Sequence, residues 1–548
     1  MQRLRLVAVA VLALAVLVPG PAAQQPDRPA LVVVVAVDQL RADYFDKFQH
    51  QWSHGLRRLI DRGAWYRRAA YPYFDTVTCA GHATISTGTF PATNGQLMNE
   101  WYDRALGRLV NCTEDQSAHT ISYDGTPRRG HDGPGMLLVP TLADEMRVQL
   151  AQPPRIVSLS LKPRSAIMLA GHAADLVLWF EGRSFATSSV YGETLLPFVE
   201  RFLAANPIEG DLGRVWDRVQ PKDAYLYPET TPEFDSGVGW GDALPHTVGT
   251  AGSPDRRFYG AWSRSPFSDP YLTDLAIAAI DELALGQEAR TDYLAISYSA
   301  LDRVGHDYGP RSHEVQDTLM RLDESLGTLL EHLDATVGPD RYVLALTADH
   351  GAAPIPEQAA KMGFDAGRLD LEVVQGRTDA ALAPFLGEGP HVARINYTEL
   401  YFAPGVYDRL REQPAALDAA IAAIESVPGV GAVYQAEQVA GFDESSRAIE
   451  RALALSYVPG RSGDLIIVPK VYWSTSQNAT GHGTSFGYDT HVPIVLLGTS
   501  IQAGRYDDAA TPADVAPTLA YLAGITLARP DGRVLSEAIR IPPILPSP

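Results

Sequence analysis

Short runs of consecutive apolar, mostly β-branched residues recur along this sequence of 548 residues. The first run is LVVVVAV at 31–37, and the others lie at 156–161, 293–298, 342–346 and 493–497. A strand without polar alternation is buried on both faces, which is typical of a parallel sheet that helices cover on both sides. The pattern therefore predicts that these five runs are strands of such a sheet.

Helical patterns fall between several of these strands. Apolar residues recur near helical spacing over 315–333. Thr511, followed by Pro512, marks the start of a further helix whose apolar residues would pack on the sheet. Because strands and helices alternate, the sequence predicts an α/β fold with a layered, mostly parallel sheet.

Two stretches interrupt this alternation. Residues 205–270 are rich in proline, glycine, aspartate and tryptophan, and we expect an irregular insertion there. Residues 355–475 contain a helix pattern and a strand pattern of their own, which indicates an inserted cap. The core would then comprise 24–354 and 476–548. The cap would lie at the rim of the active site, where insertions between strands commonly lie.

The first residues are typical of a secretory signal peptide. Arg3 and Arg5 precede an apolar run at 7–18, and small residues around Ala23 suit a cleavage site. This run is shorter than the roughly 20 residues that a membrane-spanning helix needs. We expect residues 1–23 to be removed and the mature chain to be periplasmic or secreted, with no membrane partner. An uncleaved anchor is the alternative.

The composition is that of a globular protein. Hydrophobic residues make up 46% and charged residues 20%, which excludes a disordered, collagen-like or coiled-coil chain. The formal net charge of -20 would repel nucleic acid, so we expect no nucleic-acid partner. An anionic substrate would need local cations, and bound metal ions would supply them. We expect the protein to act as a monomer.

The chain has two cysteines, Cys79 and Cys112. In an oxidising compartment they would form a disulfide, which would stabilise the fold by about 3–4 kcal/mol through loop closure. Two unpaired thiols are the alternative, because the sequence alone does not give the distance between them.

Acidic and histidine side chains fall mostly at the predicted carboxyl ends of the strands. That edge is where open α/β sheets place their ligands, and Asp and His together bind zinc and similar divalent ions well. The six candidates are Asp38, Asp302, His306, Asp349, His350 and His482. Each alone has an ordinary explanation, such as a helix cap for Asp38 or a loop position for His482. Their conjunction indicates a metal site.

Thr78 begins the segment TCAGHATISTG, whose small residues predict a turn from loop into helix. A hydroxyl at a helix N-terminus faces free backbone N–H groups, which favour an alkoxide and a bound phosphate. Metal coordination would activate the hydroxyl further. Thr78 is therefore a candidate nucleophile, and a role as the helix N-cap is the alternative.

Three polar residues are candidates for holding a phosphate group. Pro163 biases Lys162 toward an extended conformation, in which Lys162 and Arg164 would point to the same side and converge on two phosphate oxygens. The amide of Asn99 has a donor for an oxyanion. The alternatives are two solvated charges for the cations and a turn position for Asn99.

Together these segments resemble the alkaline phosphatase superfamily, and most of all the bacterial alkaline phosphatases of its nucleotide pyrophosphatase/phosphodiesterase-like branch. The resemblance covers about residues 31–524 and rests on motifs in the order of the family: VAVDQLRADY, TVTCAGHATISTG, LMNEW, SLKPRSAI, LDRVGHDYGP, TADHGAAP and GHGTSFGYDTHVPIVLLG. It implies an alkaline-phosphatase-like α/β/α sandwich with a mostly parallel central sheet and an inserted cap.

The resemblance also implies a role for each candidate. Thr78 would be the nucleophile that forms a phosphothreonine intermediate, with two zinc ions as cofactors and a small phosphate ester as substrate. One zinc would be held by Asp38, Asp349, His350 and the oxygen of Thr78. The other would be held by Asp302, His306 and His482. The phosphate oxygens would be contacted by Asn99, Lys162 and Arg164. His82 is not carried over as a ligand.

The pair Lys162 and Arg164 is typical of the branch members that prefer monoesters, so the resemblance favours a phosphate monoester hydrolase. A phosphodiesterase or nucleotide pyrophosphatase is the alternative. A sulfatase is disfavoured, because Cys79 is not followed by the Pro and Arg of the sulfatase motif. A non-catalytic exported metal-binding protein is the alternative from another class.

Overall fold

The structure, a computed structural model, describes residues 28–229, 240, 243–249, 252 and 254–540. The strands in this part of the chain are β1 (Leu31–Val37), β2 (Ala64–Ala69), β3 (Glu100–Asp103), β4 (Arg108–Asn111), β5 (Thr120–Ser122), β6 (Ile156–Ser160), β7 (Leu176–Glu181), β8 (Ser184–Ser188), β9 (Val215–Trp216), β10 (His246–Thr247), β11 (Asp292–Tyr298), β12 (Tyr342–Thr347), β13 (Gly367–Arg368), β14 (Val392–Asn396), β15 (Glu399–Phe402), β16 (Val430–Gln435), β17 (Leu465–Pro469), β18 (Trp473–Ser474), β19 (Ile494–Gly498) and β20 (Gly504–Ala510).

The α-helices in the same part of the chain are α1 (Asp43–Phe48), α2 (Gly55–Arg62), α3 (Thr78–Thr87), α4 (Pro91–Asn94), α5 (Leu142–Gln149), α6 (Pro163–Ala170), α7 (Pro197–Ala205), α8 (Arg256–Ser263), α9 (Ser268–Glu282), α10 (Ala300–Tyr308), α11 (His313–Thr336), α12 (Pro356–Lys361), α13 (Leu371–Leu386), α14 (Val406–Glu412), α15 (Pro414–Glu425), α16 (Ala436–Val439), α17 (Ala448–Ser456), α18 (Gly487–Thr490) and α19 (Val515–Ala523).

Ten of the described strands form the central sheet, in the order β20-β2-β19-β12-β1-β11-β6-β7-β8-β5. The strands from β12 to β7 in this order are parallel to one another, and β2 and β20 also pair in parallel. The other neighbouring pairs are antiparallel. The predicted α/β fold with a mostly parallel central sheet is confirmed.

Of the five strands predicted from apolar runs, β1, β6, β11 and β12 lie side by side in the parallel part. The fifth, β19, is a strand but runs antiparallel to β12, so the expectation of a parallel strand is wrong there. The reason lies in the path of the chain. The segment before β19 already lies at the carboxyl edge of the parallel strands, so β19 crosses the sheet in the opposite direction.

Helices cover both faces of the central sheet, as the apolar runs predict. Val33 and Val35 of β1 belong to a cluster that includes apolar residues of α2, α9 and α11. Val32 and Val34, which point to the opposite face, belong to a cluster that includes apolar residues of α5 and α19. The strand therefore has no face on which a polar residue would reach water.

The segment 355–475 contains a second sheet, whose four antiparallel strands lie in the order β14-β15-β17-β16. Apolar residues of α13 and α15 pack with this sheet in a cluster of their own. Two other residues of β17, Ile466 and Val468, pack with Phe74, which lies just before α3. This contact joins the second sheet to the part of the core that carries Thr78.

The stretch 205–270 is irregular over most of its described residues, but its end is not. Helix α8 spans Arg256–Ser263, and α9 begins at Ser268. The expectation of irregular structure is wrong for these residues. Asp255 supplies the signal that the prediction missed, because its side chain accepts a hydrogen bond from the backbone N–H of Phe258 and so caps α8.

Among the described residues, no helix combines the length and the apolar character that crossing a bilayer requires. The predicted signal peptide at 1–23 lies outside the described residues.

Candidate active site

The predicted ligand residues meet at the carboxyl edge of the parallel strands. Asp38 directly follows β1, and Asp349 and His350 come just after β12. Asp302 and His306 lie one turn apart on α10, which follows β11. Because β1, β11 and β12 are parallel neighbours, the sheet itself brings together groups that are far apart in the sequence.

His482, from the loop between β18 and α18, forms a first group with Asp302 and His306. Nε2 of His306 lies 3.2 Å from Oδ1 of Asp302, and Nε2 of His482 lies 3.9 Å from the same oxygen. The three candidate ligand atoms lie within 4.8 Å of one another. One carboxylate and two imidazoles therefore face a common point.

A second group surrounds His350. Its Nε2 lies 3.2 Å from Oδ2 of Asp349 and 3.5 Å from Oδ1 of Asp38. Asp302 also offers a ligand atom within 4.8 Å of those of Asp38 and His350. Asp302 therefore lies between the two groups, which the sequence did not predict, and the groups form one continuous cluster. Asp38, Asp302, Asp349 and His350 are buried, whereas His306 and His482 are partly exposed.

The backbone fixes the orientation of the three imidazoles. Nδ1 of His306 lies 3.0 Å from the carbonyl oxygen of Thr480, and Nδ1 of His350 lies 2.9 Å from that of Gly351. Nδ1 of His482 lies 2.9 Å from the carbonyl oxygen of Thr76. A carbonyl accepts only, so each Nδ1 donates and each Nε2 points toward the cluster, where it can bind a metal ion once it has no proton. This arrangement is typical of metal-binding histidines.

Several buried atoms of the cluster make no hydrogen bond within the described residues: Oδ1 of Asp38, Oδ2 of Asp349 and Nε2 of His350. Leaving such acceptors unpaired is costly, and a divalent cation would satisfy them. Nitrogen and oxygen donors without a thiolate suit zinc among other divalent ions. The residues at this edge therefore fit bound metal ions.

The electrostatics of the cluster agree with this fit. Burial, reinforced by the charge of Asp349, raises the pKa of Asp38 to about 7. Although burial lowers it, the carboxylates of Asp349 and Asp38 raise the pKa of His350 to about 9. Protons partly neutralise the carboxylates here, and a metal ion would take their place.

Two positioning residues were not predicted from the sequence. Gln39 donates from its backbone N–H to Oδ1 of Asp349 at 3.1 Å and from Nε2 to Oδ1 of Asp302 at 2.9 Å. Nδ1 of His82 lies 2.9 Å from the carbonyl oxygen of Thr78 and 3.4 Å from Oδ2 of Asp349. The sequence analysis noted His82 in its motif but assigned it no role. The only sequence signal for Gln39 was its position next to Asp38.

Thr78 is the first residue of α3 and is buried. The N-cap is Val77, which has an extended backbone, so Thr78 does not take the capping role that was its alternative. The small residues of α3 allow a close approach to the segment of Asp349 and His350. A Cβ at Gly81 would lie 2.2 Å from the carbonyl oxygen of Asp349. Only glycine permits this packing, which holds α3 against the cluster.

Asn99 and the disulfide both hold the start of α3. The backbone N–H of Cys79 donates to Oδ1 of Asn99 at 2.9 Å. The amide oxygen of Asn99 is engaged in this bond, and its amide nitrogen can donate to a ligand. The backbone carbonyl of Asn99 accepts from the N–H of Cys112 at 2.9 Å. Cys79 and Cys112 form a disulfide, with their Cα atoms 6.6 Å apart. Asn99 is thereby fixed beside Thr78.

Lys162 and Arg164 have different surroundings. Nζ of Lys162 lies 2.5 Å from Oδ2 of Asp38 and 2.5 Å from Oδ2 of Asp302, so the ammonium bridges the two carboxylates. Lys162 itself is extended, as Pro163 predicts. The expected extended run to Arg164 is wrong, because Pro163 is already the first residue of α6. Arg164 therefore reaches the site from the first turn of a helix.

A cavity of about 340 Å³ opens over the cluster. Its inner wall includes the candidate nucleophile, two candidate phosphate contacts and three candidate metal ligands: Thr78, Asn99, Arg164, Asp302, His306 and His482. The segment 355–475 supplies Leu371, Asn396 and Tyr397 to the outer wall. A hydroxyl, a guanidinium and two imidazoles thus share one small space, which suits a phosphate group with a modest substituent.

The chain is similar to known proteins over most of its length. Residues 32–492 match the family described as type I phosphodiesterase / nucleotide pyrophosphatase. Alkaline phosphatase PhoV from Synechococcus elongatus is 30% identical over 522 residues, which are 92% of this chain and 92% of that protein.

Alkaline phosphatase PafA from Elizabethkingia meningoseptica is 30% identical over 527 residues, which are 92% of this chain and 93% of that protein. A crystal structure of wild-type alkaline phosphatase PafA matches this structure with a TM-score of 0.85 at 28% identity. The match covers 94% of this chain and 100% of that chain.

Proposed function

Because the chain belongs to the type I phosphodiesterase / nucleotide pyrophosphatase family, we propose that it is an alkaline phosphatase, a metal-dependent hydrolase of phosphate monoesters. One observation carries this proposal: Thr78, Arg164 and the group of Asp302, His306 and His482 line a single cavity, and the group around His350 adjoins it through Asp302. The names of the relatives PhoV and PafA support monoesters as the substrate class.

Two zinc ions are the proposed cofactors. Asp38, Asp349 and His350, with the oxygen of Thr78, would hold one ion. The other would be held by Asp302, His306 and His482. When bound, such ions lower the pKa of the hydroxyl and water that attack phosphorus and offset negative charge on the leaving oxygen.

Thr78 is the proposed nucleophile. Its Oγ1 loses a proton to solvent and attacks phosphorus, and the Oγ1–P bond forms as the P–O bond to the ester alcohol breaks. The departing alkoxide takes a proton from solvent. A water molecule then attacks phosphorus from the side opposite Oγ1 and gives up a proton, the Oγ1–P bond breaks, Oγ1 takes up a proton again, and inorganic phosphate leaves. The N-terminal position of Thr78 on α3 supports this role, because backbone N–H groups there favour negative charge.

Asn99, Lys162 and Arg164 are the proposed contacts to the phosphate oxygens. Asn99 and Arg164 line the same cavity as Thr78. Lys162 contributes its charge from beneath, where it bridges Asp38 and Asp302. A monoester carries one more negative charge than a diester, so two cations at this place favour monoesters.

We further propose that the protein acts in the periplasm or outside the cell as a monomer on small phosphate esters. The apolar run at 7–18 and the disulfide between Cys79 and Cys112 support an oxidising compartment. The formal net charge of -20 argues against nucleic acid as a substrate.

A paired ester assay tests the substrate class. With zinc supplied, we expect p-nitrophenyl phosphate to be hydrolysed with a much higher kcat/KM than bis-p-nitrophenyl phosphate. The double variant Lys162→Ala/Arg164→Ala should lose about a hundredfold or more on the monoester and far less on the diester, because two charged contacts are removed. Metal content must be measured in parallel, since Lys162 touches two ligand carboxylates.

A wild-type preference for the bis ester would instead make the protein a phosphodiesterase. Equal losses on both esters, with metal retained, would mean that the two cations do not distinguish the dianion. No hydrolysis of either ester would leave a metal-binding protein without this activity.

Removal of the Thr78 hydroxyl tests the nucleophile. Thr78→Ala should abolish the acid-stable phosphoenzyme and lower kcat/KM by about a thousandfold or more, because no side-chain oxygen is left to attack. Thr78→Ser, which keeps the hydroxyl, should still form the phosphoenzyme. Wild-type turnover in the alanine variant, with two metals bound, would refute this role. Mass spectrometry of acid-quenched protein provides the measurement.

A further inference from the structure

Tyr397 occupies a strained turn at the outer wall of the cavity. Strands β14 and β15 form a hairpin in which Asn396 pairs with Glu399, so Tyr397 and Thr398 are its two turn residues. The φ angle of Tyr397 is 51°, in the left-handed region that glycine usually occupies in such turns. A bulky aromatic residue in this conformation costs free energy and persists only where the surroundings hold it.

Both neighbours of Tyr397 are anchored to the core beside the active site. Nδ2 of Asn396 donates to the backbone carbonyl of Glu100 at 2.8 Å, next to Asn99. Oγ1 of Thr398 donates to Oδ1 of Asp75 at 3.1 Å, three residues before Thr78. These two bonds fix the turn from either side, so the position of the Tyr397 side chain is set by the same segments that carry the proposed catalytic groups.

The ring of Tyr397 is available for a ligand. Tyr397 lines the cavity together with Thr78, and among the described residues its ring stacks on no other aromatic ring. Its side chain packs against the core and is half-buried, so part of it remains exposed. A rigidly held, partly open aromatic face at the mouth of a phosphate site is suited to stacking on a flat group.

The charge of the cavity limits what that group can be. Arg164 is the arginine among the lining residues, and Glu100 adds a negative charge to the same wall. The rest of the outer wall is neutral, with Leu371, Asn396, Thr475 and Ser476. A second phosphate or a carboxylate on the leaving group would meet no further cation there. The wall therefore favours an uncharged leaving group over an anionic one.

From this geometry we infer that Tyr397 is a specificity-determining residue, which stacks on the leaving group and selects phosphate monoesters of uncharged aromatic alcohols. The inference rests on the proposed function and specifies the substrate class of the same site. It assigns Tyr397 no part in the bond changes at phosphorus, so its contribution depends only on the leaving group.

Three esters separate stacking from the rest of the reaction. Benzyl phosphate and cyclohexylmethyl phosphate have similar primary alcohol leaving groups and similar size, but only the first has a flat aromatic ring. Methyl phosphate has no group that reaches the outer wall. We expect the wild-type protein with zinc to have a higher kcat/KM for benzyl phosphate than for cyclohexylmethyl phosphate.

Tyr397→Ala should lower kcat/KM for benzyl phosphate by about three- to tenfold, the range expected for one aromatic contact. Methyl phosphate turnover and inhibition by inorganic phosphate should change by less than about twofold. Tyr397→Phe, which keeps the ring, should keep the benzyl preference. Tyr472→Ala is the matched control, because Tyr472 also has a left-handed φ of 65° but does not line this cavity. It should leave the benzyl preference unchanged.

A glycine at this position distinguishes stacking from backbone strain. Tyr397→Gly should raise the melting temperature relative to Tyr397→Ala, because glycine adopts a positive φ without strain, and yet should lack the benzyl preference. The inference is overturned if Tyr397→Ala reduces all three esters equally, or if it leaves the benzyl preference intact.

Failure of the proposed function would give a different result. If the wild-type protein released no phosphate from p-nitrophenyl phosphate or from any of the three esters, the monoesterase assignment would fall while the subsite would remain measurable. Calorimetry of the zinc-loaded protein with benzylphosphonate and methylphosphonate would then decide. Tighter binding of benzylphosphonate, lost in Tyr397→Ala, supports the subsite, and equal binding of the two phosphonates overturns it.

Discussion

Gln39 contacts one carboxylate of each candidate ligand group, Asp302 in one and Asp349 in the other. Its side chain donates to Asp302 and its backbone to Asp349, and its φ angle of 67° is rare for a residue with a side chain. The close packing of α10 explains why the position is so constrained, since a Cβ at Gly305 would lie 1.8 Å from Oε1 of Gln39. Gln39 therefore orients two of the proposed ligands and is itself outside the proposed ligand set.

Replacement of Gln39 by alanine should weaken metal binding. Because the amide holds Oδ1 of Asp302, which faces both His306 and His482, we expect Gln39→Ala to lower zinc affinity about 10- to 100-fold, as outer-shell substitutions do. Competition with a chromogenic chelator measures the affinity. Gln502→Ala, at an exposed position, is the control. Unchanged zinc affinity in Gln39→Ala would contradict a positioning role.

At the scale of single residues, the sequence predicted which side chains meet in the site. It did not predict the position of Asp302 between the two groups or the contacts of Lys162. Asp38, Asp349 and His350 were recognisable because each comes just after the carboxyl end of an apolar run, and these ends lie at the same edge of the sheet. The place of Asp302 between both groups depends on the rotation of α10 against β1, and the bridge made by Lys162 depends on its rotamer. Neither is encoded in spacing along the chain.

Between elements, a pair of buried acids joins the second sheet to the loop before α3. Asp75 accepts a hydrogen bond from Thr398. Glu399, the residue after Thr398, accepts one from the backbone N–H of Gly463 at 2.5 Å. Burial raises the pKa of Asp75 to about 7. Burial, together with the charge of Asp75, holds the pKa of Glu399 well above its usual value. Folding at neutral pH therefore has to bring together two acids that resist ionisation.

This pair predicts a pH dependence of stability. Because the folded pKa of Asp75 lies above its unfolded value, its contribution is fully present below about pH 4 and is lost as the pH rises toward 7. In metal-free protein, Asp75→Asn should therefore show a shallower fall in the free energy of unfolding between pH 4 and 7. The difference in slope should reach at most about 1.4 kcal/mol per pH unit.

Urea unfolding at several pH values measures this difference. Asp507→Asn, whose carboxylate is exposed, should follow the wild-type curve. Curves for Asp75→Asn and wild type that stay parallel from pH 4 to 7 would mean that Asp75 does not bind a proton on folding.

The strands that the sequence predicted are those buried on both faces. The apolar runs gave β1, β6, β11 and β12 because both faces of each strand are covered. Edge strands such as β5 and β20 were missed, since the exposed face of β20 carries charged residues that interrupt any apolar run. The antiparallel direction of β19 depends on the path of the preceding loop, which no local pattern contains.

On the scale of the whole molecule, the proposed function requires a negatively charged protein to bind an anion at one edge of its sheet. The formal net charge is -20, and the cluster adds three buried carboxylates at the point where a phosphate would bind. Arg164 and Lys162 supply two positive charges there, and divalent cations would supply the rest. The account therefore depends on metal ions more than on any other feature.

Anomalous diffraction at the zinc edge, from crystals grown with zinc and phosphate, tests this dependence most directly. We predict two peaks about 4 Å apart. One peak should touch Asp38, Asp349 and His350, the other Asp302, His306 and His482, with the phosphate beside the Thr78 oxygen. A single peak, or zinc bound elsewhere while these side chains keep the positions described above, would contradict the account.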